Sequence, residues 1–244
     1  MTPQTPDKDS GTPSNGKPTV VLVHGAWADG TSWQHVIALL ERDGYPVVAV
    51  QNPLSSVADD VANTRRVIQN QKGPVVVAGH SYGGMVMTGA AAGESNVKAL
   101  VYITAFAPDS GEALGPSSAK FPQMAGIGTL APDTGGYLYI GRKGFHEYFC
   151  ADVPEAEAQT MFAVQKPLAA AIFGQTLEAA AWKKVPSWYL VSQNDLMINP
   201  EQERFYANRM QSTTIELKSS HCSLVSHPAE VTKLIEDAAT STAK

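Results

Sequence analysis

Residues 74–84 read PVVVAGHSYGG. The valines form a short, continuous apolar run, which suits a strand buried on both faces of a parallel sheet. The run ends at Gly79-His80-Ser81-Tyr82-Gly83, and residues 83–93, GGMVMTGAAAG, read as a helix of small residues able to lie close against a sheet. A G-x-S-x-G placed between strand and helix is a nucleophile elbow. Such a turn holds Ser81 in a strained conformation at the top of the sheet. Side chains at positions 79 and 83 would collide with neighbouring backbone, so glycine is needed there. The bare motif is common, and its strand–turn–helix setting is what gives it weight.

The same alternation extends outward in both directions. Upstream, TVVLVHG (19–25) is an apolar strand, and Trp33, Val36, Ile37, Leu39 and Leu40 recur at helical spacing before Gly44. PVVAV (46–50) is a second strand, and Val57, Val61, Val67 and Ile68 mark a helix capped by Ser55 or Ser56. Downstream, VKALVYITA (97–105) is a strand, and the rhythm resumes only at SWYLVSQND (187–195). Asn199-Pro200 opens a helix to about Met210, with Gln202 placed for a capping box. TTIELKSSH (213–221) is the last strand and a helix follows from Pro228. Alternating strands and helices imply an α/β fold, a mostly parallel, doubly wound sheet.

Two segments fall outside this rhythm. Residues 1–18, MTPQTPDKDSGTPSNGKP, carry no large apolar residue after Met1 and read as a disordered tail, leaving 19–244 as the folded domain. Residues 107–184 read as an inserted cap, with a hairpin at YLYIGRKGF and helices near 155–165 and 168–183. Both ends of the insertion leave the same sheet edge as Ser81, so it is expected to lie over or beside that serine.

A serine hydroxyl needs a base, and the base needs an orienting group. His221 follows the last strand and Asp195 the one before it, so both sit at carboxyl ends of parallel strands, beside Ser81. The order Ser81, Asp195, His221 is the order that an elbow-type hydrolase uses. Asp109, which also follows a strand, is the main rival to Asp195. His24 and His80 suit structural hydrogen bonds, His35 and His146 are poorly placed, and His227, before Pro228, is expected to cap the last helix. Cys222 lacks the elbow that Ser81 has. His24-Gly25-Ala26-Trp27 ends the first strand in a turn that aims the Ala26 N–H at Ser81. With the Tyr82 N–H it would form an oxyanion hole, each donor of which is worth ~10²–10³ in turnover.

HGAW, GHSYGG, the Asp195 region and SHCSLVSHP, in this order from about Thr19 onward, resemble the α/β-hydrolases of the small-cap group that holds plant methylesterases, hydroxynitrile lyases and bacterial esterases. The resemblance implies a core sheet of about eight strands and a cofactor-free serine hydrolase acting on small-molecule carboxylic esters. Hydroxynitrile lyases of this kind carry Lys after the catalytic His and Thr after the His of the first turn. Here Cys222 and Gly25 stand there, which favours the esterase branch. The alternatives are a lyase or carbon–carbon hydrolase with the same triad, or a ligand-binding receptor.

Composition narrows the field further. The 244 residues are 43% hydrophobic and 17% charged, against ~25% charged in an average chain. Lys and Arg number 18 against 23 Asp and Glu, a net charge of −5, and no basic run marks a nucleic-acid partner. No apolar stretch approaches the ~18 residues of a membrane span. No export signal is visible, so a cytoplasmic location is expected. Cys150 and Cys222 make neither a disulfide scaffold nor a metal pattern.

Overall fold

The structure, a computed structural model, describes residues 16–241. Most of the expected tail therefore lies outside the described residues. Lys17 lies within them, and its ammonium donates to the Asp43 carbonyl at 2.6 Å and sits over the Tyr45 ring.

Strands β1 (Thr19–Val23), β2 (Val47–Ala49), β3 (Val75–Ser81) and β4 (Val97–Ala105) alternate with helices α1 (Gln34–Arg42), α2 (Val57–Gln69) and α3 (Tyr82–Ala90). A 3₁₀ turn, Gly30–Trp33, leads into α1, capped by the Asp29 side chain on Thr31 N. Ser56 caps α2 by accepting from Asp59 N. Next come α4 (Leu114–Ser118), β5 (Leu130–Pro132), β6 (Tyr137–Ile140), α5 (Arg142–Gly144), α6 (Glu155–Ala163) and β7 (Leu168–Ala169). The chain closes with β8 (Ser187–Ser192), α7 (Pro200–Met210), β9 (Thr213–Leu217), α8 (Ser223–Ser226) and α9 (Pro228–Ser241).

The main sheet has the order β2-β1-β3-β4-β8-β9, and all its pairings are parallel. Right-handed crossovers then place α1 on one face and α2, α3 and α7 on the other. The C-terminal α9 packs against α1. Every residue of β3 is buried, and each buried valine there contributes about 1.5–3 kcal/mol relative to exposure. Strand order reverses between β1 and β3, and an open α/β sheet forms its crevice at the carboxyl ends of the strands flanking such a point.

The described residues give six strands in this sheet, not about eight. Residues 16–18 are all that precede β1 among them, and β5, β6 and β7 form a separate antiparallel sheet. That small sheet also corrects the hairpin expected at 137–145. Tyr137–Ile140 pairs backward with Leu130–Pro132 and forward with Leu168–Ala169, while GRKG turns into α5. Residues 168–183 are no helix either. Pro167 precedes a two-residue strand whose Ala169 N–H donates to Leu54 O, and 3₁₀ turns follow at Ala170–Gly174 and Ala181–Lys183. Tertiary hydrogen bonding overrides the alanine-rich propensity there. Gln202 makes no capping box: its amide donates to Tyr206 Oη and Ser118 Oγ, while Asn199 caps α7 through Glu201 N.

Candidate active site

Ser81 ends β3 with φ 52° and ψ −124°, a left-handed backbone that a serine adopts only under constraint. The constraint comes from its neighbours. A Cβ on Gly83 would stand 2.4 Å from the Val23 carbonyl oxygen, and one on Gly79 would stand 2.7 Å from that of Gly83. The elbow is thus wedged against the end of β1. Beside it, β3 and β4 slip register as His80 pairs with Ile103 and Ser81 with Ala105, which bulges Thr104 out at φ 48°. Trp27, just beyond β1, has φ 57°. Unusual backbone therefore gathers at the carboxyl ends of three adjacent strands.

His221 and Asp195 are both 1% exposed, and His221 Nδ1 donates to Asp195 Oδ2 at 2.7 Å. The other carboxylate oxygen of Asp195 accepts from Met197 N at 2.6 Å and Ile198 N at 3.1 Å. These bonds fix the carboxylate, and the carboxylate fixes the ring and its tautomer. His221 Nε2 is buried and has no hydrogen-bond partner among the described residues. Ser81, Tyr82, Ala26 and His221 line one cavity together with Trp27, Phe106, Leu114, Ile127, Leu168, Phe173, Met197 and Ile198. The structure therefore brings together all five residues singled out in the sequence. The first turn lies directly on the serine, since a Cβ on Gly25 would stand 2.9 Å from Ser81 Cβ. The Tyr82 hydroxyl points away and donates to Asp60 Oδ2 at 2.7 Å.

The rivals are engaged elsewhere. Asp109 pairs with Lys183 at 2.5 Å. His24 donates from Nδ1 to Gly25 O and accepts from Asn52 N at Nε2, and burial pushes its pKa down to about 4. His80 donates from Nε2 to the His221 carbonyl, and burial followed by the nearby His221 holds it well below the usual histidine range. Cys222 and Cys150 are buried free thiols, and burial raises both, Cys150 to about 12. A poorly ionised thiol is a poor nucleophile.

Residues 20–234 match the model of the Alpha/beta hydrolase family. The chain belongs to the alpha/beta hydrolase family. Among relatives of this hydrolase, the probable hydrolase R7 of Phoma sp. is 26% identical over 91% of this chain and 98% of its own. The carbendazim hydrolyzing esterase of Nocardioides sp. is 30% identical over 52% of this chain and 53% of its own. A crystal structure of a polyneuridine aldehyde esterase variant superposes with a TM-score of 0.78 at 18% identity, covering 90% of this chain and 98% of that one.

Sequence reasoning missed several residues of this hydrolase. Trp27, next to Ala26, and Tyr82 line the cavity at Ser81, whereas Phe121 and Met124 line a neighbouring one of about 290 Å³. Phe145 and Phe162 pack on each other, with ring centroids 5.6 Å apart. Phe106, Met197 and Ile198 were legible in principle, because each follows directly from a strand end or from Asp195. Leu114, Ile127, Leu168 and Phe173 come from the irregular segment between β4 and β8, where no periodicity marks which side chains face inward.

Glu203 on α7 was missed as well. It is fully buried and accepts from Ser192 N at 3.0 Å. Burial, then the charge of Asp195, pushes its carboxyl well above the usual range, which favours its protonated form. No helix of the described residues is long and apolar enough to cross a membrane.

Proposed function

We propose that this alpha/beta hydrolase is a serine carboxylic-ester hydrolase. The observation that carries the reading is the His221 imidazole, bonded to Asp195 through Nδ1 and bare at Nε2 in the cavity that Ser81 lines. Ser81 Oγ attacks the ester carbonyl carbon as His221 Nε2 takes its proton, and Asp195 stabilises the resulting imidazolium. The carbonyl oxygen becomes an oxyanion held by the backbone N–H groups of Ala26 and Tyr82, the latter at the N-terminus of α3. The tetrahedral intermediate expels the alcohol, which receives the proton from His221. Water, deprotonated by His221, then attacks the acyl-enzyme and releases the acid and free Ser81. The sequence consumes an ester and a water and calls for no metal or organic cofactor.

The esterase names of the Nocardioides relative and the polyneuridine neighbour support an ester as substrate. The segment between β4 and β8 acts as a cap, since Leu114, Ile127, Leu168 and Phe173 line the same cavity as Ser81. That lining offers no charged side chain besides the triad, which suits a neutral, apolar ester.

Fluorophosphonate treatment followed by peptide mass mapping tests the nucleophile. The adduct is expected on Ser81, and Ser81→Ala is expected to abolish both labelling and turnover of aryl esters. An adduct on another serine, or full activity in Ser81→Ala, would overturn the mechanism.

A further inference from the structure

The cap does more than cover the cavity, because one of its turns is bonded to the loop that carries His221. Asp152 Oδ2 accepts from the Ser220 backbone N–H at 2.8 Å, and Asp152 Oδ1 accepts from the Ser220 hydroxyl. Ser220 immediately precedes His221 and is 3% exposed. One carboxylate thus grips both the backbone and the side chain of the residue before the base, a two-point hold that limits both translation and rotation of the loop.

The turn that presents Asp152 is itself pinned. Val153 N donates to Cys150 O at 3.0 Å, and His146 Nε2 donates to Val153 O at 2.9 Å. Phe145, Phe149, Cys150 and Val153 are all buried beneath it. Phe149 lies against the catalytic ring, with centroids 5.1 Å apart, and meets Trp27 edge-on at 6.3 Å. Trp27, next to Ala26, donates from its indole to the Leu138 carbonyl of β6 at 2.8 Å. The cap therefore touches the base loop and the oxyanion turn at once. On the other side of Asp152, His227 Nδ1 lies at 3.8 Å and is bonded to Ser226 Oγ.

We propose that Asp152 is a positioning residue for the base: through Ser220 it sets where His221 Nε2 stands, so that cap placement and base placement are a single event. The inference rests on the serine-hydrolase reading given above. Asp195 fixes the ring from the β8 side, and His80 holds the His221 carbonyl from the elbow. Asp152 adds a third anchor, on the residue before the base. A displacement of about 1 Å at a reacting group costs about 10²-fold in rate, so loss of the anchor acts on kcat.

The test compares Asp152→Ala, Asp152→Asn, Ser220→Ala and the double variant Asp152→Ala/Ser220→Ala on short and long aryl esters, with circular dichroism and melting as folding controls and Ser81→Ala alongside. Asp152→Ala is expected to lower kcat about 10- to 100-fold with KM within about threefold for every ester. Asparagine can accept from Ser220 N and make the second contact through its amide, so Asp152→Asn is expected to recover most of kcat. The double variant is expected to fall no lower than Asp152→Ala alone, because the two residues act through one contact. A kcat within twofold of the parent in Asp152→Ala, or a loss confined to KM and dependent on chain length, overturns the proposal. Should Asp152→Ala fail to fold, full kcat in Ser220→Ala together with a large loss in Asp152→Asn overturns it equally. Full activity in Ser81→Ala would instead remove the underlying mechanism, and the two failures are read from different proteins.

Discussion

His80, the residue before the nucleophile, donates from Nε2 to the carbonyl oxygen of His221 at 2.8 Å, and the two rings stand 4.8 Å apart. The elbow of β3 is thereby tied to the loop after β9 by one hydrogen bond that crosses two strands. The bond requires a proton on Nε2, and burial holds the ring's pKa well below the usual histidine range. His80→Gln retains a donor and is expected to stay within a few-fold of the parent in kcat. His80→Ala removes a bond worth about 1 kcal/mol and is expected to lose about 5- to 10-fold. Equal activity of both variants in initial-rate assays would remove His80 from the positioning of the base.

Asp195 and Asp109 both follow strand ends, yet only Asp195 meets His221. Asp195→Asn is expected to lower kcat by ~10²–10⁴, since it removes the acceptor that fixes the tautomer and stabilises the imidazolium. Asp109→Asn, which breaks a partly exposed pair with Lys183, is expected to leave kcat within twofold. Steady-state kinetics of the two variants decide the matter, and the reverse ranking would move the acid.

Glu203 gives stability a pH dependence of definite sign. In the folded chain it stays protonated well above its ordinary value of 4.5, held there by burial first and by Asp195 second. In the unfolded chain it ionises near 4.5. Above that value the folded state binds the extra proton, so this group lowers stability as pH rises, by at most about 1.4 kcal/mol per pH unit. Glu203→Gln keeps an acceptor for Ser192 N and cannot ionise in either state. Its melting temperature relative to the parent is expected to rise as pH is raised from 4.5. A difference that stays flat across that range would mean that Glu203 is ionised in the folded protein.

Phe106, Ile127, Phe173 and Met197 line both the cavity at Ser81 and the larger one beside it. Phe173 is the partition most open to trimming, because it sits on an irregular turn of the cap. Phe173→Ala is expected to raise kcat/KM for hexanoate and octanoate esters relative to acetate by about tenfold, within the ~1–3 kcal/mol per methylene that an apolar pocket can give. Fluorophosphonate labelling of Ser81 should survive the change. A single common factor across all chain lengths would place the partition elsewhere.

The strands and the three polar residues were legible because their signals are local. Val75–Val77 need no partner to read as a buried strand, and Ser81, Asp195 and His221 each stand within a few residues of a strand end. Within the segment between β4 and β8 the helix near 155–165 was legible, as α6 shows, but the rest was not, for a physical reason. Leu168 and Ala169 are captured by β6, across thirty positions of sequence, and alanine-rich 170–181 obeys those contacts in place of its helical propensity. Gln202 shows the same limit at the scale of one side chain: its spacing fits a cap, yet Tyr206 and Ser118 offer better partners. Asp152 carried no local signal, since its meaning lies in Ser220, 68 positions along the chain, and Glu203 reads from sequence as one more charged residue of an amphipathic helix although it turns inward onto Ser192 N. The strand number inferred from resemblance exceeded the six that the described residues place in the sheet, because a family's sheet size is no property of this chain's own apolar runs.

The cavity at Ser81 holds about 20 Å³, room for roughly one water molecule, and it shares Phe106, Ile127, Phe173 and Met197 with the neighbouring cavity of about 290 Å³. Productive binding of an ester is therefore expected to require those shared side chains to turn aside, with the larger cavity as the waiting space. Burst kinetics should then saturate with substrate concentration at a ceiling set by that movement, and thickening the solvent should lower the ceiling most for an ester whose chemistry is fast.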